Sequence, residues 1–274
     1  MGRPFKKIDP VELDKLTNKY SDKEIGELLN HSRWAVTQAR RRFKVKSYFE
    51  KTGMKKSGTG EIVRGGAKRK FTYDEYFFSE ISSEAQAYFL GFLAADGSVD
   101  KKLGGVEITL QEKDINSLLQ FKKAIGGTSP ELNYRSYSNR SDMYRLTLKS
   151  CQIAKDLNAW GITPNKTHTL KIVKPIPENL IKHFLRGVWD GDGWIGIRSF
   201  ELLTASPDFA NQLEQWAFDV SGIQLRRRTR NVRGRLYPCL NGNGSVGYPF
   251  LKAIYKDCSY FMQRKFDRFS RFCS

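Results

Sequence analysis

Two short segments of this chain nearly repeat each other, and this repetition constrains the fold more than any other feature. The first segment reads FLGFLAADG over residues 89–97, and the second reads LRGVWDGDG over residues 185–193. Each is an apolar, helix-like run in which two small residues stand four positions apart and therefore share one helix face. These small residues are Gly91 and Ala95 in the first segment, and Gly187 and Gly191 in the second. Because a face without large side chains lets helix backbones approach closely, the pattern predicts two helices packed along these faces.

Each segment ends in an aspartate, Asp96 or Asp192, and the predicted packing would bring these two acids side by side. The C-terminal end of a helix already carries partial negative charge, and neighbouring carboxylates repel each other. A divalent cation would remove this conflict, since Mg²⁺ takes oxygen ligands from one or two carboxylates together with phosphate oxygens and water. A plain turn after each helix is the competing interpretation, which the second copy with the same spacing weakens.

Both segments resemble the LAGLIDADG motif of homing endonucleases, in the single-chain form with two motifs. The resemblance covers residues 73–270 and implies an α+β fold in which two pseudo-symmetric αββαββα repeats form a DNA-binding saddle. It implies that Asp96 and Asp192 are catalytic and bind metal, with Ala95 and Gly191 as further residues of the metal site. The implied cofactor is Mg²⁺, for which Mn²⁺ or Ca²⁺ can substitute in binding.

Enzymes of this family carry a lysine after the third helix of each repeat, near the scissile phosphates. The resemblance assigns this catalytic role to Lys166 and Lys265, and Lys174 competes with Lys166 for the first site. The sixth motif position, often an aspartate, is Ala94 in the first copy and Asp190 in the second. That position is not the metal ligand in the family, so the alanine in the first copy does not change the expectation of activity.

The composition favours a folded protein that binds a polyanion. The net charge is +18 and the sequence pI is about 9.7, which indicates nucleic acid before any other partner. The apolar run at residues 87–95 is too short to cross a bilayer, and the basic start of the chain shows no signal peptide. We therefore expect a cytoplasmic protein without membrane contact, associated with the nucleoid if it is bacterial or phage-encoded. The scattered cysteines and histidines predict neither zinc nor a histidine-based site.

Residues 1–46 resemble a helix-turn-helix domain. Ser21 and Glu24 form a capping box before one helix, and Ser32 caps the next helix, which runs to Phe43. As a recognition helix in a major groove, the segment would offer DNA the polar side chains Arg33, Thr37, Gln38, Arg40 and Arg41. A small three-helix bundle with a solvated basic face is the competing interpretation.

The rest of the chain divides into a linker and a catalytic domain. Residues 47–72 are rich in glycine and lysine and predict a basic flexible linker. Residues 73–274 are predicted to form the two-repeat domain, with the first repeat at 73–170 and the second at 171–274. Within the predicted strands, apolar and polar residues alternate, as expected for antiparallel sheets with one buried and one exposed face. The exposed faces would contact bases or phosphates through Arg135, Tyr137, Arg145, Arg226, Arg228, Arg230, Arg235 and Tyr237.

The combined prediction is a site-specific double-strand DNA endonuclease, a homing enzyme of a mobile element. The resemblance implies metal-dependent phosphodiester hydrolysis across the minor groove, giving short 3′ overhangs. The expected partner is double-stranded DNA with a long specific target site, bound by a monomer. Two alternatives stay open: an RNA-binding intron maturase, and a DNA-binding transcription regulator of the same fold that does not cut.

Overall fold

The computed structural model of the chain separates it into two units, Met1–Lys70 and Phe71–Ser274. Short helices form most of the described part of the first unit, whereas the second combines helices with two antiparallel sheets. The structure describes residues 8–52, 54–56, 62–64, 71–128, 130–138 and 141–272.

The first unit begins with three helices, α1 (Pro10–Leu16), α2 (Asp22–Leu29) and α3 (Arg33–Phe43). The predicted capping box is present, because the Glu24 carboxylate accepts a hydrogen bond from the Ser21 backbone N–H at 2.9 Å. The Ser32 hydroxyl likewise accepts from the backbone N–H of Ala35 at 3.1 Å. One fully buried side chain from each helix, namely Leu13, Ile25 and Val36, builds a small core between them.

Part of the predicted linker has regular structure. Tyr48–Thr52 forms a short helix, α4, and strand β1 (Met54–Lys56) pairs antiparallel with strand β2 (Ile62–Arg64). The glycine- and lysine-rich composition did not predict these elements. The other residues between 57 and 70 lie outside the described part of the chain.

The second unit consists of two repeats of the same element order, which confirms the predicted α+β fold class. The first repeat comprises α5 (Glu84–Asp96), β3 (Gly97–Val99), β4 (Val106–Gln111), α6 (Ile115–Ala124), β5 (Asn133–Arg135), β6 (Met143–Leu148) and α7 (Cys151–Ala159). The second comprises α8 (Glu178–Asp192), β7 (Gly193–Ile195), β8 (Ser199–Leu203), α9 (Pro207–Ser221), β9 (Arg226–Val232), β10 (Arg235–Asn243) and α10 (Gly244–Tyr255). A further helix, α11 (Gln263–Phe272), follows and was not predicted.

Each repeat contains one four-stranded antiparallel sheet. The first sheet has the order β3-β4-β6-β5 and the second the order β7-β8-β10-β9. Along β4, Val106, Ile108 and Leu110 are buried while the alternate residues are partly exposed, as the sequence pattern predicts. Along β8, Phe200 and Leu202 are buried in the same way. Each sheet therefore buries one face and leaves the other, its open face, accessible.

The two motif helices cross at very close range. A Cβ atom added to Gly91 would lie 2.1 Å from the carbonyl oxygen of Phe184, and one added to Gly187 would lie 2.0 Å from that of Tyr88. No side chain fits into such gaps, so α5 and α8 pack backbone against backbone at their glycines. This geometry confirms that the two helices pack along the predicted faces, and it brings their C-terminal ends together.

The apolar run of the sequence is the central helix of the second unit. Every residue of α5 from Ala87 to Ala94 is buried, because α8 and the first sheet surround it. At 13 residues, α5 is a core element of ordinary length. Among the helices in the described residues, none combines the length and the apolar character that a membrane span requires.

Candidate active site at the paired helix ends

The two predicted catalytic acids are the last residues of the motif helices. Asp96 ends α5 and Asp192 ends α8, and the glycine packing of these helices places the two ends together. A Cβ atom added to Gly191 would lie 3.4 Å from a carboxylate oxygen of Asp96. The carboxylate of Asp96 therefore lies against the residue that immediately precedes Asp192.

Their surroundings disfavour the negative charge of both acids. The two residues remain accessible to water, yet protein surrounds them closely. This partial burial, together with the charge of Asp192, raises the pKa of Asp96 to about 6, against the opposing effect of Lys265 and Lys166. Burial also raises the pKa of Asp192, again opposed by the two lysines. A cation bound between the carboxylates would relieve both effects.

The donor atoms at this position suit a hard divalent cation such as Mg²⁺. Within the described chain, neither carboxylate accepts a hydrogen bond, so their oxygens are available as ligands. No cluster of three or more His, Cys, Asp or Glu side chains able to hold a metal occurs among the residues that the structure describes. A cation here would therefore use the two acids together with backbone, water or phosphate oxygens, which is the usual coordination of Mg²⁺. The carbonyl oxygens of Ala95 and Gly191, the other two residues predicted at the metal site, accept hydrogen bonds from the ammonium groups of Lys166 at 3.3 Å and Lys265 at 3.1 Å.

The first predicted lysine reaches the end of its motif helix. Lys166 lies in a single 3₁₀ turn, Lys166–His168, and its ammonium group donates to the carbonyl oxygen of Gly97 at 2.6 Å and to that of Ala95 at 3.3 Å. Burial lowers the pKa of Lys166, while Asp192 and Asp96 act to raise it. The competing residue, Lys174, instead places its ammonium group 5.1 Å from the ring centre of Trp160. The structure therefore brings Lys166, and not Lys174, to the motif.

The second lysine repeats this arrangement on the other helix. Lys265, near the start of α11, is buried and donates to the carbonyl oxygens of Trp189, Asp190 and Gly191 at 2.7, 2.6 and 3.1 Å. Burial lowers the pKa of Lys265 to about 8, despite the neighbouring carboxylate of Asp190. Each lysine thus satisfies the unpaired carbonyls at the C-terminal end of one motif helix, where a cation is electrostatically favoured.

Asp190, the aspartate at the sixth motif position that only the second repeat has, is buried in the core. Its buried carboxylate accepts hydrogen bonds from the hydroxyls of Tyr88 and Tyr255 at 2.8 and 2.5 Å, and from the backbone N–H of Met262 at 2.8 Å. Burial raises its pKa, and the charge of Lys265 opposes this shift. Asp190 therefore ties α5, α10 and the segment before α11 together. Its counterpart Ala94 is buried among apolar side chains.

A recess of about 450 Å³ joins this centre to the open face of the second sheet. Asp192 and Lys166 line it from the motif side, and Val232 and Tyr237 line it from strands β9 and β10. Since the same recess borders both Asp192 and the sheet, a ligand lying along the open face would reach Asp192 without crossing the core.

Most of the predicted DNA-contacting residues of the sheets lie on the open faces. Strand register places there Arg135, Arg145, Arg226, Arg228, Arg230, Arg235 and Tyr237. Two of these arginines form ion pairs on the face itself, Arg145 with Glu107 at 3.3 Å and Arg230 with Glu201. Tyr137 lies beyond the end of β5, where its backbone N–H donates to Asp142. Trp194, two residues after Asp192, is exposed and lies opposite Glu201 in the pairing of β7 with β8. It was not among the residues predicted to contact DNA.

In the first unit, the predicted DNA-contacting set divides in two. Arg33, Gln38 and Arg41 are exposed on α3. By contrast, Asp22 of α2 accepts hydrogen bonds from Arg40 at 2.9 Å and from Thr37 at 2.8 Å. These two side chains hold α2 against α3, which corrects their predicted position on the DNA-facing surface. Sequence reasoning also missed Trp34, which is 71% exposed on the same helix.

The raised pKa of Asp96 predicts a pH-dependent gain of stability in Asp96→Asn. The folded protein holds the Asp96 proton up to about pH 6, whereas the unfolded chain releases it near pH 3.8. The folded state is therefore penalised as pH rises between these values, and the full penalty remains above pH 6. In metal-free buffer, Asp96→Asn should melt at a higher temperature than the wild type at pH 8, with no difference well below pH 3.8. An equal difference in melting temperature at both pH values would contradict this account.

Comparison with known sequences finds only partial relatives. No family model matches the chain. It is 27% identical over 109 residues to the DNA-directed RNA polymerase subunit Rpo1C of Methanocaldococcus jannaschii, and 27% identical over 165 residues to the replication factor C small subunit of Thermococcus kodakarensis. These matches cover 39% and 58% of this chain, but only 12% and 18% of the two relatives. The chain thus spans less than a fifth of the length of either protein.

Comparison with solved structures finds a partial likeness of fold. Full-length DUF199/WhiA from Thermatoga maritima matches with a TM-score of 0.47 and 16% identity, over 74% of this chain and 66% of that chain. The homing endonuclease I-WcaI bound to its DNA recognition sequence also matches with a TM-score of 0.47, at 12% identity, over 68% of this chain and 87% of that chain. Because both scores lie below 0.5, conclusions about function depend on the geometry of this chain.

Proposed function

We propose that this chain is a site-specific endonuclease that cuts both strands of DNA with the help of a divalent metal ion. One observation carries the proposal: Asp96 and Asp192 stand side by side, their carboxylates accept no hydrogen bond within the described chain, and a lysine flanks each motif helix end. A structural role does not explain why two acids with unfavourable charge share the negative ends of two helices. Metal-assisted phosphodiester hydrolysis uses such a pair.

Metal binding and charge stabilisation would then fall to different residues of the centre. Asp96 and Asp192 would hold the metal, with the carbonyl oxygens of Ala95 and Gly191 at its edge. When bound, Mg²⁺ supplies activation of a water molecule and stabilisation of the leaving oxygen. Lys166 and Lys265 would stabilise charge on the two scissile phosphates. Since acids and lysines occur once per repeat, each half of the centre would serve one DNA strand, and the family resemblance implies short 3′ overhangs.

The surfaces around the centre support DNA as the substrate. Both open faces carry arginine, and the recess beside Asp192 continues onto the second of them. Guanidinium groups bind phosphates and the guanine edge in the major groove. The exposed Arg33, Gln38 and Arg41 of α3 would add contacts from the first unit, as a helix-turn-helix domain does. We propose that the long target site is bound by a monomer.

A second candidate is a DNA-binding regulator that does not cut. One observation favours it: Lys166 and Lys265 already neutralise the ends of α5 and α8 through hydrogen bonds to their carbonyl oxygens. These contacts partly offset the negative charge at the ends of the two helices without a metal. The two candidates bind the same DNA and differ in whether the acids ever hold a catalytic ion.

Cleavage in the presence and absence of metal tests the proposal. The full chain is incubated with plasmids that join the sequences flanking its own gene or host intron, in buffer with Mg²⁺, with Ca²⁺ or with a chelator. We expect linear DNA with short 3′ overhangs in Mg²⁺, binding without cleavage in Ca²⁺, and intact plasmid in the chelator. Specific binding with no cutting in Mg²⁺ or Mn²⁺ would support the regulator instead. Preferential binding of the corresponding intron RNA would support the maturase alternative.

A further inference from the structure

The open faces of the two sheets differ sharply in charge. In the first sheet the face carries two arginines, Arg135 and Arg145, and Arg145 is paired with Glu107. The rest of that face is mainly neutral and polar, with Ser98, Thr109, Gln111, Asn133 and Thr147 in register across the strands. In the second sheet the open face carries four arginines, Arg226, Arg228, Arg230 and Arg235, against the single acid Glu201.

Three arginines of the second sheet have no acidic partner among the described residues. Arg226, Arg228 and Arg235 take part in no ion pair there, and all three are exposed. Arg226 and Arg228 alternate along β9 with Arg227, which points to the opposite side and binds Asn211 and Glu214 of α9. Strand geometry therefore directs the side chains of Arg226 and Arg228 to the open face, while Arg227 between them belongs to the other face.

We propose that the two halves of the DNA target are recognised by different chemistry. This inference rests on the proposed DNA binding and adds a division of labour between the repeats. The second sheet holds its half-site mainly through phosphates, which gives affinity and a strong dependence on salt. The first sheet reads its half-site mainly through neutral hydroxyl and amide groups, which give base discrimination with little dependence on salt.

The asymmetry also predicts an order of engagement. Exposed, unpaired guanidinium groups attract a polyanion over about a Debye length, roughly 10 Å at 0.1 M salt, whereas neutral side chains act only in contact. The second sheet would therefore capture DNA first, and the first sheet would test the sequence afterwards. Base changes in the half-site of the first sheet should then mainly raise the dissociation rate.

Salt titration of binding separates the two modes. The double variant Arg226→Gln/Arg228→Gln removes two open-face cations, and its slope of log K against log[salt] should shrink by about 1.8 relative to the wild type, at roughly 0.9 per phosphate contact. Arg227→Gln is the matched control, since it makes the same change on the same strand but on the helix-facing side. It should keep the wild-type slope. Thermal melting of each full-length variant confirms that it is folded.

The complementary variant addresses the first sheet. Thr109→Ala/Gln111→Ala should keep the salt slope and lose discrimination against base changes in one half-site, by about tenfold or more for a lost bidentate contact. Equal slope changes in the Arg226/Arg228 and Arg227 variants would overturn the division of labour, as would a reduced slope in the Thr109/Gln111 variant. If the wild-type chain shows no preference for any DNA sequence, that result would contradict the proposed function itself, and not only the division between the repeats.

Discussion

Asp96→Asn and Asp192→Asn are each expected to abolish double-strand cleavage while leaving DNA binding intact. Each substitution keeps the shape of the side chain and removes one of the two charged groups proposed to bind metal at the ends of α5 and α8. Loss of one group that stabilises transition-state charge lowers the rate by roughly 10²–10³-fold. Binding should be unchanged or tighter, because a negative charge facing the phosphates disappears.

The measurement is the rate of conversion of supercoiled plasmid to nicked and linear forms in Mg²⁺, beside an affinity measurement in Ca²⁺. Asp219→Asn is a matched control, because it makes the same change on an exposed residue of α9 whose carboxylate accepts a hydrogen bond from Gln215. Accumulation of nicked plasmid by either single variant would show that the two acids serve separate strands. Linear product at the wild-type rate would remove that acid from the mechanism.

Gly187→Ala is expected to unfold the second unit or destabilise it strongly. The new Cβ atom would stand 2.0 Å from the carbonyl oxygen of Tyr88 and 2.8 Å from the backbone nitrogen of Phe92. Both are backbone atoms of α5, so relief requires the two helices to separate at the centre of the core. We expect a loss of about 3 kcal/mol, at the upper end for overpacking, which exceeds the roughly 1 kcal/mol that alanine gains over glycine in a helix.

Urea unfolding monitored by circular dichroism measures this effect. Gly104→Ala is the control, since a Cβ atom there meets only a flexible carboxylate oxygen of Asp100 at 3.1 Å. The first unit has its own core of Leu13, Ile25 and Val36, so a transition of that unit should persist in both variants. If Gly187→Ala unfolded at the wild-type urea concentration, the backbone contact between α5 and α8 would not be essential to the fold.

Local pattern in the sequence was enough to predict the repeats. The duplicated motif predicted the paired helices α5 and α8, and the alternation of apolar and polar residues predicted antiparallel sheets with one buried face, as β4 shows. Helix α11 was missed because half of its residues, in the sequence QRKFDRFSRF, are charged. Its aromatic residues Phe266 and Phe269 both pack against Tyr255 of α10, a contact that the local sequence does not reveal.

The sequence by itself therefore determined the two-repeat α+β fold, the paired helices and the acids at their ends, because periodicity and small-residue spacing act within a few turns of chain. Only the tertiary structure decided which charged side chains meet. It placed Lys166 rather than Lys174 at the first motif, buried Asp190 beneath Tyr88, and committed Arg40 to Asp22. Such pairings depend on distances between segments far apart in the chain, and in a sequence with 47 lysines and arginines every acid has many candidate partners.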